Sequence, residues 1–217
     1  WTLAVPRLAA AMVVLPVFLQ APWVRLHPFS ATLFTAVLLA VGIVLEQSGA
    51  RPTAEIGQLL VGFSGTWLAG CLFWGWLRAH PLLHLPVEAF ALPLALTGLN
   101  SRWRLAAAFY LSSLLGTACT DLMMAVTGVM KAWPTVVMAP IDVAPGLLHQ
   151  AGLQLLHPLP MLLLALAAAL ILGLGRRWSQ MGSTWTMAGA VLVTTVWVDG
   201  LFLITALLQP GLSGLIE

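Results

Sequence analysis

The amino-acid sequence predicts an all-α, polytopic bundle of transmembrane helices, and two properties of its composition support this prediction. Only 7% of the 217 residues are charged, whereas 60% are hydrophobic. A soluble domain typically carries about 25% charged residues, so this chain has too few to cover a water-facing surface. Because backbone groups in a bilayer must bond within the protein, and no pattern of alternating barrel strands is present, helices are expected.

Six segments are apolar over enough residues to cross a bilayer as a helix, which takes about 20 residues. They cover residues 8–24, 28–45, 56–77, 105–129, 156–175 and 185–208. We interpret the first as a membrane helix rather than a signal peptide, because no small-residue cleavage site stands out after Arg7. No stretch is long enough for a soluble domain, so residues 1–217 are expected to form a single integral membrane domain.

A possible seventh span covers residues 81–99 and is interrupted by Pro81, Pro86 and Pro93. Proline removes a backbone donor and breaks a regular helix, so this segment is expected to be short, broken or re-entrant. The bundle therefore has six or seven spans, and we favour seven. The lysine and arginine residues divide six to three between the two sides in either case, so the positive-inside rule does not assign the orientation.

The segment 134–145 contains three prolines in twelve residues. At this density no regular helix is expected, and the segment is too short to cross the membrane. We predict that it lies at the interface and is followed by a short amphipathic helix near residues 146–156.

The strongest functional signal is Asp121, which lies well inside the predicted span 105–129. Ser113, Thr117, Thr120 and Met124 share one helix face with it by their spacing. A polar stripe that ends in a carboxylate is expected to face the interior of the bundle rather than lipid.

Two further acids lie within apolar segments. Asp199 belongs to the last predicted span, with Thr195 one turn earlier, and Glu88 lies in the proline-broken segment. A charge in the middle of a membrane costs about 2.5–3.5 kcal/mol on insertion scales, so such residues are usually paired or functional. Asp121 and Asp199 are expected to share a proton, to pair with an arginine or lysine, or to form a structural hydrogen bond between helices.

Histidine spacing suggests a possible ligand set. His80, His84 and Glu88 recur every four residues and would share one face of a continuous helix, although Pro81 and Pro86 interrupt it. Ligation of a metal or of a pigment such as chlorophyll, carotenoid or haem through His80, His84 or His149 is one hypothesis, and interfacial histidines are the alternative. The sequence does not indicate which cofactor, if any, is bound.

A stripe of small residues in the third predicted span indicates close helix packing. Gly62, Thr66 and Gly70 are spaced four residues apart and share one face. Small residues allow helix backbones to approach each other closely in membranes, so this face is expected to pack tightly.

Six stretches together resemble a family of multi-pass membrane proteins of unknown function found in cyanobacteria. They are LPVFLQAP (15–22), FSGTWLAG (63–70), FWGWLR (73–78), HLPVEA (84–89), FYLSSLLGT (109–117) and VDGLF (198–202). The resemblance implies a thylakoid or plasma membrane, and it implies association with photosynthetic or respiratory complexes. It implies no activity, although Glu88, Asp121 and Asp199 all lie in or beside these stretches.

Two function classes follow. The first is an accessory, assembly or structural subunit of a larger membrane complex, with the lipid bilayer and other membrane proteins as partners. The alternative is a small proton- or ion-linked transporter, or a substrate-binding membrane subunit, that uses the intramembrane acids. An enzyme is less expected because the sequence contains no GxSxG, HExxH or glycine-rich phosphate loop, and no basic cluster indicates nucleic-acid binding.

Overall fold

The computed structural model describes residues 4–212, and within these residues the chain is all-helical, with nine helices. Seven are long and apolar enough to span a membrane, so the chain is an integral membrane protein. These seven are α1 (Ala4–Leu26), α2 (Pro28–Gln47), α3 (Arg51–Leu77), α4 (Pro81–Gly98), α5 (Arg104–Val126), α8 (Pro158–Ser179) and α9 (Ser183–Leu208). Between α5 and α8 lie two shorter helices, α6 (Val129–Met138) and α7 (Ala144–Leu155).

The proline-broken segment is helix α4, and its neighbours show that it runs the length of the bundle. Helices α3 and α5 are parallel, because Gly62 lies against Ala106 and Gly65 lies against Tyr110. Two parallel helices joined through α4 require α4 to return from one end to the other. The fold therefore favours seven spans over six spans with a re-entrant segment.

Helix α4 is broken in the middle, as its prolines predict, and a side chain from α5 bridges the break. A 3₁₀ turn, Ala89–Ala91, separates the α-helical pieces His84–Glu88 and Leu92–Gly98. The hydroxyl of Tyr110 donates to the carbonyl of Glu88 and accepts from the N–H of Ala91. The only tyrosine of the sequence therefore satisfies two backbone groups that a buried helix break would leave unpaired.

Seven crossings also divide the basic residues between the two ends of the bundle. One end, here the arginine-rich end, carries six arginines: Arg7, Arg51, Arg102, Arg104, Arg176 and Arg177. The opposite end, here the cavity end, carries Arg25, Arg78 and Lys131. With seven crossings, the positive-inside rule predicts that the arginine-rich end, and with it the N-terminal end of α1, faces the cytoplasm.

The prediction that residues 134–145 form no regular helix is wrong for residues 134–138, which are helical. Helix α6 runs through Pro134 and ends at Met138. A proline six residues into a ten-residue helix removes only one helical N–H, and the following residues continue the helix. The remainder of the segment is a turn, and α7 covers nearly all of the predicted short helix at 146–156.

The core joins α1, α2, α3, α5 and α9 around buried aromatic and aliphatic side chains. Phe63, Trp67 and Phe109 lie at its centre, and the ring centroid of Phe63 is 5.7 Å from that of Trp67 and 6.3 Å from that of Phe109. The face that carries Gly62 and Gly70 packs against two helices, because an added β-carbon would meet α5 at Gly62 and α1 at Gly70. The aromatic core and this face fix the three parallel helices α3, α5 and α9 on which the polar residues lie.

Candidate functional site

A cavity of about 480 Å³ lies in the cavity end of the bundle. Every helix except α2 contributes to its wall. Helices α5 and α9 touch at the level where a β-carbon on Gly116 would lie 2.7 Å from Thr195 Oγ1. From Thr117 and Thr195 toward the cavity end, residues of both helices line the cavity, and most of the lining is apolar. This size and character are typical of pockets for small organic molecules.

Two π-helical turns border the cavity. One is Pro16–Gln20 in α1 and the other is Phe73–Leu77 at the end of α3. The first brings the buried amide of Gln20 to the backbone carbonyl of Trp67 and to Cys71 Sγ. Single π-helical turns inside α-helices are frequently found at functional sites, because the extra residue re-aims the side chains around it.

Beside the cavity lies a cluster of three ionisable side chains, His84, Glu88 and Asp121, of which His84 lines the wall. Nδ1 of His84 lies 3.0 Å from Asp121 Oδ1, and its Nε2 lies 3.3 Å from Glu88 Oε1. The side chains are only 20%, 14% and 12% exposed, respectively. Phe73 stacks on the imidazole with a centroid distance of 4.2 Å, which fixes the plane of the ring.

The geometry of the cluster suits a group that binds a proton. Both imidazole nitrogens face carboxylate oxygens. A neutral imidazole has one N–H, whereas an imidazolium has two and can donate to both carboxylates at once.

A second polar contact joins α5 to α9 at the adjacent residue. Thr120 Oγ1 donates to Asp199 Oδ2 at 2.7 Å. Because Thr120 and Asp121 are neighbours in the chain, α5 directs one polar side chain toward α4 and the next toward α9. Asp199, Thr120 and His84 all line the cavity, so both polar contacts reach its wall.

Helices α6 and α7 form a hairpin that covers the cavity end of the site, and Val129, Trp133 and Leu155 line the cavity from it. The hairpin packs on α9 through a small buried cluster of Val136, Ala144, Leu148 and Ala206. The rings of Trp133 and Trp74 meet edge to face at 6.0 Å, and Gln154 donates to the carbonyl of Thr127 at 2.9 Å.

The polar residues expected from the sequence fall into two groups. Asp121, Glu88, Asp199, Thr117, Thr120 and Thr195 all lie on the cavity wall or in the His84 cluster. Ser113 is half-buried outside the lining, and Thr66 returns its hydroxyl to the carbonyl of Phe63. Asp121 pairs with His84, and Asp199 accepts from Thr120. Both are contacts between helices, as in the third of the three expectations, and neither partner is an arginine or a lysine.

The three histidines proposed as ligands have different surroundings. His84 has both ring nitrogens engaged by carboxylates, and His80 lies exposed before α4 begins. His149 Nδ1 lies 3.3 Å from the carbonyl of Ala206, which places its N–H in a bond between α7 and α9. Within residues 4–212 no three histidine, cysteine, aspartate or glutamate side chains are grouped as a metal site.

Sequence reasoning missed the contributions of Gln20, Tyr110, Trp74 and Trp133. Gln20 is a polar residue in an otherwise apolar span, and that signal was readable from the sequence. The π-helical turns and the pairing of the two tryptophans depend on tertiary contacts and have no local signature.

One protein-family model matches the chain over residues 9–207, and its description is "Protein of unknown function (DUF3120)". The chain belongs to this family. The match leaves out only the first five residues of α1 and, at the other end, Leu208 of α9 and the residues after it. The fold described above is therefore that of a DUF3120 domain. Comparison with curated proteins and with solved structures gave no match. Five of the six stretches that carry the sequence resemblance contribute residues to the cavity wall.

Proposed function

We propose that this DUF3120 protein binds a small, mostly apolar solute in the intramembrane cavity and exchanges it for a proton. The observation that carries the proposal is the coincidence of an apolar cavity with ionisable groups on its wall. His84, held between two carboxylates, and Asp199 both line this space. Membrane proteins that couple solute movement to protons use such intramembrane acid and histidine groups.

A purely structural role accounts less well for the arrangement. A hydrogen bond between two membrane helices contributes about 0.6 kcal/mol on average, while each intramembrane charge costs about 2.5–3.5 kcal/mol. Placing three ionisable side chains in one cluster therefore costs more free energy than a hydrogen bond between α4 and α5 would contribute. A cavity that takes up and releases protons as solute moves gives these ionisable groups a use that a single threonine or asparagine would not supply.

The α6–α7 hairpin is the natural entrance to the site. It lies over the cavity, and it is held to α3 by Trp133, to the end of α5 by Gln154 and to α9 by His149 and a small apolar cluster. At the other end of the cavity, the contact between Gly116 and Thr195 separates it from the arginine-rich end. In this proposal solute enters when the hairpin moves, and exchange to the other side requires α5 and α9 to separate at that contact.

The test is to fill the cavity without disturbing the packing. Gly200 lines the cavity and has no atom within 4 Å of where a β-carbon would stand, so Gly200→Leu places a side chain in open space. Gly173, which also has open space beside it but does not line the cavity, is the matched control as Gly173→Leu.

Both variants and the parent are purified in mild detergent, and small molecules retained by the protein are identified by mass spectrometry. The same proteins are reconstituted in vesicles with an internal pH dye, and the identified solute is added outside. Gly200→Leu should lose both the retained solute and the solute-driven proton flux, whereas Gly173→Leu should keep both. Equal retention and flux in all three proteins contradicts the proposal.

The expectation of an accessory subunit of a photosynthetic or respiratory complex in a cyanobacterial thylakoid or plasma membrane stays a prediction. It rests on the sequence resemblance alone, and the exposed apolar faces of α2 and α8 fit lipid contact as well as a protein partner. Gentle extraction followed by mass spectrometry of co-purifying proteins tests it. Recovery of the chain only by itself contradicts that role.

A further inference from the structure

We infer that the solute is a protonated amine, an organic cation with an apolar body, and that Asp199 is its counter-ion. This inference rests on the proposed function and names the chemical class of its solute. It follows from three properties of the cavity wall: four of its polar side chains already donate to protein acceptors, the carboxylate that lines it is that of Asp199, and part of its lining is aromatic.

Four polar side chains of the wall already direct their donors to protein acceptors. Thr127 donates to the carbonyl of Met123, Thr195 to that of Val191, and Thr120 to Asp199 Oδ2. The amide nitrogen of Gln20 faces the carbonyl of Trp67 and Cys71 Sγ. These four groups offer a solute oxygen lone pairs, which favours a solute that brings N–H donors.

The charge of the wall favours a cation as well. Its residues include Asp199 and His84, and no arginine or lysine is among them. His84 is already shared between Glu88 and Asp121, so one positive ring faces two carboxylates. Asp199 Oδ2 receives only a neutral hydroxyl from Thr120. A bound ammonium group next to Asp199 would supply the missing positive charge in a low-dielectric space, where such pairs are strong.

The remainder of the wall suits the body of such a molecule. Trp74, Trp133 and Phe202 present aromatic groups, and Met123 and Met124 present polarisable thioethers. A cation near the face of a tryptophan gains about 0.5–2 kcal/mol in general, more as water is excluded. An uncharged hydrocarbon of the same shape would use the apolar wall but not Asp199.

Proton exchange balances at a single carboxyl group. In this inference, Asp199 carries a proton when no solute is bound. When the protonated amine binds, Asp199 releases that proton to water and its carboxylate accepts an N–H bond from the ammonium group. The reverse step returns a proton to Asp199 and frees the amine in its protonated form, so no other reactant is required.

The test compares a charged probe with its neutral isostere. N,N-dimethylbenzylamine is protonated at neutral pH, and isobutylbenzene has the same shape without the charge. Cys119 lines the cavity while Cys71 is fully buried, so the rate at which a small maleimide modifies Cys119, followed by intact-mass spectrometry, reports occupancy. Proton release on mixing, measured with a pH dye, is the second readout.

The matched variants are Asp199→Asn and Asp142→Asn. Asparagine keeps an oxygen to accept from Thr120, so it removes the charge with little change of shape. Asp142 is exposed in the turn between α6 and α7 and does not line the cavity. Removing the counter-ion of a charge-assisted bond should weaken amine binding by roughly tenfold or more. Isobutylbenzene should bind Asp199→Asn as it binds the parent, and Asp142→Asn should behave as the parent with both probes.

Two other results have separate meanings. If amine and isobutylbenzene protect Cys119 equally, release no protons and ignore Asp199→Asn, the amine inference is overturned while the proposed binding function stands. If neither probe protects Cys119 or releases protons, and larger members of the same amine and hydrocarbon series do neither, the inference and the proposed function fall together.

Discussion

The two ends of the bundle use the same helices in opposite ways. At the arginine-rich end, glycines bring backbones into direct contact: a β-carbon on Gly57 would lie 2.4 Å from the backbone nitrogen of Glu46, and one on Gly189 would lie 2.6 Å from the carbonyl oxygen of Gly175. At the cavity end the helices stand apart, and side chains such as Thr120 and Asp199 line the space between them.

The difference teaches how a chain with few charges forms both a rigid part and a polar site. Lipid supplies no hydrophobic drive for helix association, so close van der Waals packing of small residues must hold one end together. That packing allows the other end to leave a space open and to keep acids inside it. The comparison predicts that the arginine-rich end tolerates changes of surface charge but not of volume. The cavity end should show the reverse.

The largest expected effect is the loss of a carboxylate from the His84 cluster. Asp121→Ala removes one of the two partners of a buried imidazole, and breaking a buried ion pair from one side costs about 3–5 kcal/mol. We expect a loss of this order in the free energy of unfolding, measured by denaturant titration in mixed micelles.

The control is Glu55→Ala at the arginine-rich end. Glu55 forms an exposed pair with Arg51 at 3.2 Å, and exposed pairs contribute about 0–1 kcal/mol. Equal losses for Asp121→Ala and Glu55→Ala would show that the His84 cluster is no more demanding than a surface pair, and the contrast between the two ends would fail.

An intermediate effect is expected from adding one methyl group to a glycine. Gly57→Ala forces a β-carbon against backbone atoms of α2, which cannot move away as a flexible side chain can. Overpacking of this kind costs about 1–3 kcal/mol. The same change at the cavity end, Gly200→Ala, meets open space and should be neutral or stabilising by up to about 1 kcal/mol through helix propensity.

Thermal unfolding in one detergent, read as the midpoint temperature, compares the two alanine variants directly. A midpoint for Gly57→Ala at or above that of Gly200→Ala contradicts the assignment of tight backbone packing to the arginine-rich end.

The fold and the location of the site could be predicted in large part from the sequence. The spans depend on long runs without charged residues, and the site depends on the few acids that lie within those runs. Long apolar runs fixed the spans, and the broken α4 followed from its prolines. Asp121, Asp199 and Glu88 were identified as candidates because a charge within an apolar run needs a reason.

The partners of the two aspartates could not be predicted, whereas the four-residue spacing placed His84 beside Glu88. That His84 also reaches Asp121 depends on α4 returning between α3 and α5, a non-local contact across 37 residues of sequence. The π-helical turn that places Gln20 against α3 likewise depends on packing. The mistaken prediction for 134–145 has a local cause: proline density was given too much weight against the ability of a short helix to lose one bond.

The smallest effect expected concerns the hydrogen bond between Thr120 and Asp199, which joins α5 to α9 where their backbones no longer touch. Thr120→Val keeps the shape of the side chain and removes the donor. Interhelical hydrogen bonds in membranes contribute about 0.6 kcal/mol on average, so the free energy of unfolding should fall by roughly that amount. Thr194→Val is the matched control, because Thr194 donates within its own helix to the carbonyl of Ala190.

If Thr120→Val lowers the free energy of unfolding as much as Gly57→Ala does, then a side-chain bond holds the cavity end as firmly as backbone contact holds the other end. The cavity would then be a fixed space rather than one whose walls can separate, and exchange across the Gly116–Thr195 contact would need a different pair of helices to move.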